Sequence, residues 1–183
     1  MGTKTVYVFL ADGFEEIEAL TPVDMLRRAG ASVTTVGVTG KTVTGAHGIP
    51  VTADVLAAEL SEDILPDMIV LPGGMPGASN LDESPFVDGF VRKAAETGVF
   101  LSAICAAPMI LGKRGFLRGK KAVSYPGFES FLVGAEVLTL PAVRDGNIIT
   151  GRGMGAAAAF SCLLISALFG EEKTEEIRTG VIL

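Results

Sequence analysis

The sequence predicts an α/β protein built on a doubly wound, mostly parallel sheet sandwiched by helices, with small hairpin excursions. Two observations carry that expectation. Short apolar runs at residues 6–10, 68–71 and 99–104 lack the in/out alternation of a half-exposed strand, which is how strands covered on both faces read. Helical patterns stand between them, several closed by a glycine suited to a left-handed C-cap. Strand–helix–strand order of this kind points to an open parallel sheet.

The elements follow in order. After the strand at 6–10 comes a helix over 14–29, closed by Gly30. Its start is acidic, and Asp12 with Glu15 three residues on resembles a capping box. Pro22 lies four residues after Glu18 and cannot donate to its carbonyl, so a distortion is expected there. A second strand is expected over 33–38. Residues 41–52, rich in glycine around them, form a small hairpin excursion. The strand at 68–71 runs into Pro72-Gly73-Gly74, and a helix over 85–97 is closed by Gly98. The strand at 99–104 ends at Cys105, with a helix over 106–111 closed by Gly112. Within 143–150, Asp145-Gly146 between short apolar runs marks a hairpin turn. A helix over 156–169 and a charged terminal segment complete the chain. No long linker, repeat or low-complexity tract divides it, and residues 1–183 are expected to form one domain.

Composition narrows the function. With 49% apolar and 20% charged residues, the 183-residue chain can bury a sizeable core. The net charge is −6, and the basic residues fall in pairs such as Arg27-Arg28 and Lys120-Lys121 rather than a stripe. Nucleic acid is therefore not an expected partner. Two cysteines cannot build a disulfide framework, and one histidine with two cysteines is too few for a structural zinc site. No metal and no cofactor are expected. The longest apolar run, 154–169, falls short of the roughly 20 residues that span a bilayer, and the run at 6–11 is closed by acids, unlike a signal peptide. A soluble, cytoplasmic protein with no membrane contact is expected.

In an open parallel sheet, ligands gather beyond the carboxyl ends of the strands. Three turns lie there: Ala11 to Glu18, Pro72 to Gly77, and Cys105 to Pro108. Together they offer a thiol, carboxylates and a glycine-rich loop. Cys105 sits where strand turns to helix, a place that favours thiolate and lifts the side chain as a nucleophile elbow does. A buried, inert thiol is the competing reading; for Cys162, inside an apolar run, core packing is expected. Glu18 suits a thiolate neighbour only if it is protonated. Gly73 and Gly74 offer backbone N–H groups for an oxyanion, or simply a tight turn. Gly151-Arg152-Gly153-Met154-Gly155 looks like a phosphate cradle but lacks G-x-G-x-x-G spacing and does not follow the first strand, so nucleotide binding is not expected. His47 reads as a solvated loop histidine.

Taken together, Ala11-Asp12-Gly13-Phe14-Glu15-Glu16-Ile17-Glu18, Val70-Leu71-Pro72-Gly73-Gly74, Ala103-Ile104-Cys105-Ala106-Ala107-Pro108 and Gly151-Arg152-Gly153 resemble the ThiJ/PfpI superfamily, more narrowly the branch of the parkinsonism-associated deglycase and glutathione-independent glyoxalase. The resemblance implies a flavodoxin-like fold, usually a homodimer through the first helix, with Cys105 hydrogen-bonded to protonated Glu18. It implies an oxyanion site at Gly73, Gly74 and the N–H of Ala106, with Arg28 near the cysteine pocket. His47 stands where relatives carry an arginine, and Tyr125 where others carry a histidine, leaving it to orient substrate or donate a hydrogen bond. Ala106 replaces the histidine of the protease-like branch, so peptidase activity is not expected. No residue supports a thiamine-pathway role. The function implied is conversion of reactive carbonyls such as methylglyoxal, or removal of their adducts. The alternative is a sensor or chaperone switched by oxidation of Cys105 to sulfinate.

Overall fold

The computed structural model describes residues 2–183. In chain order the elements are β1 (Thr5–Leu10), α1 (Glu16–Arg28), β2 (Ser32–Gly37), β3 (Thr42–Thr44), β4 (Pro50–Thr52), β5 (Val55–Leu56), β6 (Met68–Leu71), α2 (Gly77–Glu83), α3 (Pro85–Thr97), β7 (Phe100–Ile104), α4 (Pro108–Lys113), β8 (Lys121–Ala122), β9 (Glu136–Val137), β10 (Ala142–Asp145), β11 (Ile148–Gly151), α5 (Ala157–Phe169) and α6 (Glu171–Gly180). The central sheet runs β10-β11-β7-β6-β1-β2-β5. Every neighbouring pair is parallel except β10 with β11, the hairpin at the edge. Helices α1, α5 and α6 pack together, as do α2, α3 and α4, so that the sheet is a sandwich filling. The expected flavodoxin-like architecture is what the chain adopts.

The apolar runs explain the centre of the sheet. All four residues of β6 are buried, and Phe9 of β1 meets Phe90 of α3 with ring centroids 5.5 Å apart. Burying such rings supplies the bulk of the core's driving force. The chain leaves β1 for β2 on one side and returns to β6 on the other. This change of direction opens a crevice beyond the carboxyl ends of β1 and β6, the standard ligand position of such sheets. Cys105 follows β7, the next strand along.

Several boundaries differ from expectation for local reasons. The first helix starts at Glu16, with Glu15 as an extended N-cap whose side chain makes no capping bond. Asp12 does not close a capping box. Its Oδ1 accepts the N–H of Thr44, 2.8 Å away, and ties the first turn to the β3–β4 hairpin. The helix passes through Pro22 as a single element. The helix after Cys105 begins only at Pro108, because Ala107 N–H bonds back to Ile104 and leaves residues 105–107 as a turn. Gly112 lies inside that helix, where it lets the Phe131 carbonyl approach closely, and the left-handed glycine comes later, at Gly115. The charged terminal segment is a helix, α6, seated through Thr174 and Ile177. No helix among the described residues is long and apolar enough to cross a membrane.

Candidate active site

The three turns named from the sequence do converge. Glu15 N–H donates to the Gly73 carbonyl at 2.9 Å, which joins the β1 and β6 turns. Cys105 N–H donates to the Gly151 carbonyl at 2.9 Å, and Tyr125 N–H donates to the Cys105 carbonyl at 2.8 Å. The cysteine is thus held by its backbone on both sides. Its φ is +67°, in the left-handed region that side chains avoid. Such a conformation costs on the order of 1–3 kcal/mol and persists only where surrounding contacts impose it. Its effect is to stand the side chain up from the end of β7, as in a nucleophile elbow.

Cys105 is 7% exposed and Glu18 is fully buried beneath it. Glu18 projects from the first turns of α1, hydrogen-bonds Cys105, and accepts the Gly73 N–H through Oε2 at 3.0 Å. Gly73 is required by this packing. A Cβ there would lie 2.6 Å from both the Cys105 Cβ and Glu18 Oε2, closer than atoms can approach. Since the Gly73 N–H is committed to Glu18, it is not free for an oxyanion as the resemblance implied. The N–H groups of Gly74 and Ala106 act on the sulfur instead, pulling its pKa down.

Burial pushes the Glu18 carboxyl up to about 7, with the charge of Glu15 adding to the rise and the bonds from Cys105 and Gly73 opposing it. Burial also pushes the Cys105 thiol up, to about 12, reinforced by the charge of Glu18 and the bond to it. The helix-terminus effect expected at Cys105 is absent, because α4 starts three residues later. What favours sulfur anion is the N–H pair of Gly74 and Ala106. Two groups in contact titrate as a unit, and the pair releases its first proton far more readily than its second. Three features favour sulfur as the site of the resulting single charge. Two N–H groups serve Sγ against one for Glu18. Glu18 Oε1 is buried without a hydrogen-bond partner, which is costly for a carboxylate and better tolerated by a neutral acid. Glu15 disfavours a second carboxylate nearby.

A cleft of about 450 Å³ lies beyond Gly153, with Tyr125, Arg152, Gly153 and Met154 in its wall; Cys105 and Glu18 do not line it. Gly153 borders both spaces, since a Cβ there would stand 3.9 Å from Glu18 Oε1 and 3.2 Å from the Tyr125 ring. Tyr125 therefore lies beside the pair and is 41% exposed. The segment from Arg152 to Ala156 is a wall of this cleft. Its place was missed in the sequence because nothing local links it to Glu18; only the β11–β7 pairing does so. Arg28 is not at the pocket of its own chain. It pairs with Asp24 at 2.6 Å on the exposed face of α1, ten residues from Glu18, or roughly 15 Å along the helix. His47 is 65% exposed, and its Nδ1 lies 2.9 Å from Glu16 Oε2 rather than near the sulfur. Hydrogen bonding to Glu16, then the charges of Glu15 and Glu16, raise its pKa. Cys162 is buried in α5, and both cysteines are free thiols.

Fold and site together define a flavodoxin-like α/β protein with a strained, carboxyl-paired cysteine at the carboxyl edge of its sheet. The DJ-1/PfpI family pattern matches residues 4–167, and the chain belongs to that family. It is 40% identical to protein DJ-1 homolog A of Arabidopsis thaliana across 99% of its own length, although it spans only 47% of that longer relative. It is 37% identical to protein dj-1beta of Drosophila melanogaster, covering 99% of this chain and 98% of the relative. A Pyrococcus abyssi protein named a deglycase is 33% identical over 82% of this chain and 90% of its own. Among solved structures, Drosophila DJ-1beta superposes with a TM-score of 0.94 at 36% identity, covering 100% and 99% of the two chains. Oxidized Toxoplasma gondii DJ-1 does so with 0.94 at 33% identity, covering 98% of each.

Glutamine at position 18 keeps the shape of the acid and a donor but cannot ionise. If the single charge sits on sulfur, Glu18→Gln leaves the pH midpoint of Cys105 alkylation, followed by peptide mass, within about one unit of the unaltered protein. A fall of several units would put the charge on Glu18 and reverse the assignment.

Proposed function

We propose that the protein handles small reactive carbonyls by cysteine chemistry, as a glyoxalase or deglycase. One observation carries this reading: a buried thiol and carboxyl in contact, with N–H donors on the sulfur and a cleft beside it. These groups supply every step without a cofactor. Sulfur adds to the aldehyde carbon of methylglyoxal, and the carbonyl oxygen takes up a proton to give a hemithioacetal. The N–H groups of Gly74 and Ala106, beside the sulfur, are the donors this reading assigns to the developing oxyanion. Glu18 carries the proton from the former aldehyde carbon to its neighbour, leaving a thioester of a 2-hydroxy acid. Water cleaves the thioester, returning the thiol and releasing lactate. Methylglyoxal plus water equals lactic acid, so no oxidant or reductant is required. Once sulfur has bonded to carbon its charge is gone, so Glu18 can give up and take back its proton as a shuttle must. Tyr125, in the cleft wall, is the residue assigned to orient substrate in this reading. Sugar-type adducts on proteins or nucleotides enter the same chemistry, and the deglycase name of the Pyrococcus relative supports that extension.

A homodimer through α1 fits this reading, since Ile17 and Leu20 of that helix, with Ile49 and Met154 outside it, present apolar side chains to solvent. A cytoplasmic location accords with two free thiols. The second reading, a redox sensor, draws support from the same N–H donors, which would also hold a sulfinate, and from the oxidized state of the Toxoplasma relative.

Purified protein is expected to form lactate from methylglyoxal without glutathione. Cys105→Ser should abolish turnover, and Glu18→Gln should lower it by about two orders of magnitude or more; equal turnover in Cys105→Ser would remove the enzymatic reading. For the sensor, mild peroxide followed by intact and peptide mass should add two oxygens to Cys105 before Cys162 or any methionine. Oxidation spread evenly over those sites would count against it.

A further inference from the structure

The two oxygens of Glu18 are treated unequally. Oε2 accepts the Gly73 N–H, whereas Oε1 is buried and, among the described residues, has no hydrogen-bond partner. Gly153 stands beside that oxygen: a Cβ there would lie 3.9 Å from Oε1 and 3.2 Å from the Tyr125 ring. The same glycine lines the cleft of about 450 Å³ that Tyr125, Pro126, Thr139 and Pro141 also wall. Gly153 therefore lies between the buried carboxyl and the cleft.

Neither backbone nor packing requires glycine at this position. Its backbone is extended, with φ 165° and ψ −173°, a conformation open to any residue. At Gly73 and Gly77 a Cβ would meet other atoms of the chain at 2.6 and 2.4 Å, which forbids any side chain. At Gly153 the tightest contact would be the edge of the Tyr125 ring, and that residue is half-exposed and able to give. What a side chain at 153 would change is the space itself, because it would fill the gap between the Tyr125 ring and Glu18 Oε1.

We propose that Gly153 is a specificity-determining residue, whose missing side chain lets the substrate's own side chain pass from Glu18 into the cleft. On the glyoxalase reading, on which this rests, sulfur holds the former aldehyde carbon and Glu18 carries a proton to the carbon beside it. That second carbon must lie against the carboxyl, and its substituent needs somewhere to go. Oε2 is closed off by Gly73, while Oε1 looks toward Gly153 and the cleft. A cleft of about 450 Å³ holds far more than the methyl group of methylglyoxal. Its tyrosine and proline walls suit a flat, apolar substituent. The substrate class is accordingly α-oxoaldehydes with a bulky, largely apolar side chain. Of the cleft's walls, only Met154 belongs to the apolar face assigned to the dimer.

The test offers glyoxal, methylglyoxal and phenylglyoxal to the unaltered protein, Gly153→Ala and Gly153→Val, and follows initial rates of hydroxy-acid formation. Unaltered protein should convert phenylglyoxal to mandelate with kcat/KM no lower than for methylglyoxal. Gly153→Val should lower the phenylglyoxal-to-glyoxal ratio of kcat/KM at least about tenfold, and Gly153→Ala should move it the same way by less. General damage to the fold lowers all three rates together and leaves that ratio alone. The pH midpoint of Cys105 alkylation should stay put in both variants, showing the thiol–carboxyl pair intact. A ratio unmoved in both variants would overturn the inference while leaving the glyoxalase reading in place. So would phenylglyoxal left unconverted by protein that converts methylglyoxal. Unaltered protein inert to all three substrates would remove that reading and the inference with it.

Discussion

A proton held between a sulfur atom and a buried carboxyl group is the constraint around which this protein is organised. Cys105, in the turn after β7, and Glu18, in α1, are far apart in sequence, and they share space into which only a glycine fits at position 73. Two negative charges in contact inside a core are prohibitive, so one proton must remain with the pair until strongly basic conditions. The N–H groups beside each partner bias where that proton rests.

The surrounding fold serves that contact at some expense. Cys105 occupies a left-handed backbone conformation, Gly74 another at φ +85°, and Glu18 leaves one oxygen without a partner. These costs concentrate where β1, β6 and β7 end. The rigid parallel centre of the sheet, with β6 fully buried, fixes those ends relative to one another. A nearby turn, residues 11–15, is itself tied to the β3–β4 hairpin through Asp12 and through the Ala46 N–H bond to the Phe14 carbonyl. The hairpin excursion is therefore a brace for the first turn of the site, and it delivers His47 to Glu16 as a consequence.

The strands were legible because burial on both faces leaves an uninterrupted apolar signature, as in residues 68–71, whose predicted and observed bounds coincide. The helix at 85–97 was equally plain, with Ser84 accepting the Val87 N–H at one end and Gly98 left-handed at the other. Local reasoning failed where tertiary contacts outbid it. Asp12 looked like a capping residue, yet a strand N–H 32 residues away claimed its carboxylate. Gly112 looked like a terminator, yet it is needed for close approach of another backbone. At the site, Cys105, Glu18 and Tyr125 were readable from motif and position. The commitment of the Gly73 N–H to Glu18, and the removal of Arg28 from its own chain's pocket, depend on side-chain geometry that spacing does not encode.

The location of the shared proton can be observed directly by infrared spectroscopy. In Cys162→Ser protein only Cys105 contributes an S–H stretch, and the Glu18 carboxyl band is identified by its loss in Glu18→Gln. At a pH where the pair has released one proton, the expected spectrum has a protonated-carboxyl band from Glu18 and no S–H stretch. An S–H stretch persisting beside an ionised Glu18 would contradict the account, because the sulfur would then be a buried, neutral thiol with no reason to react.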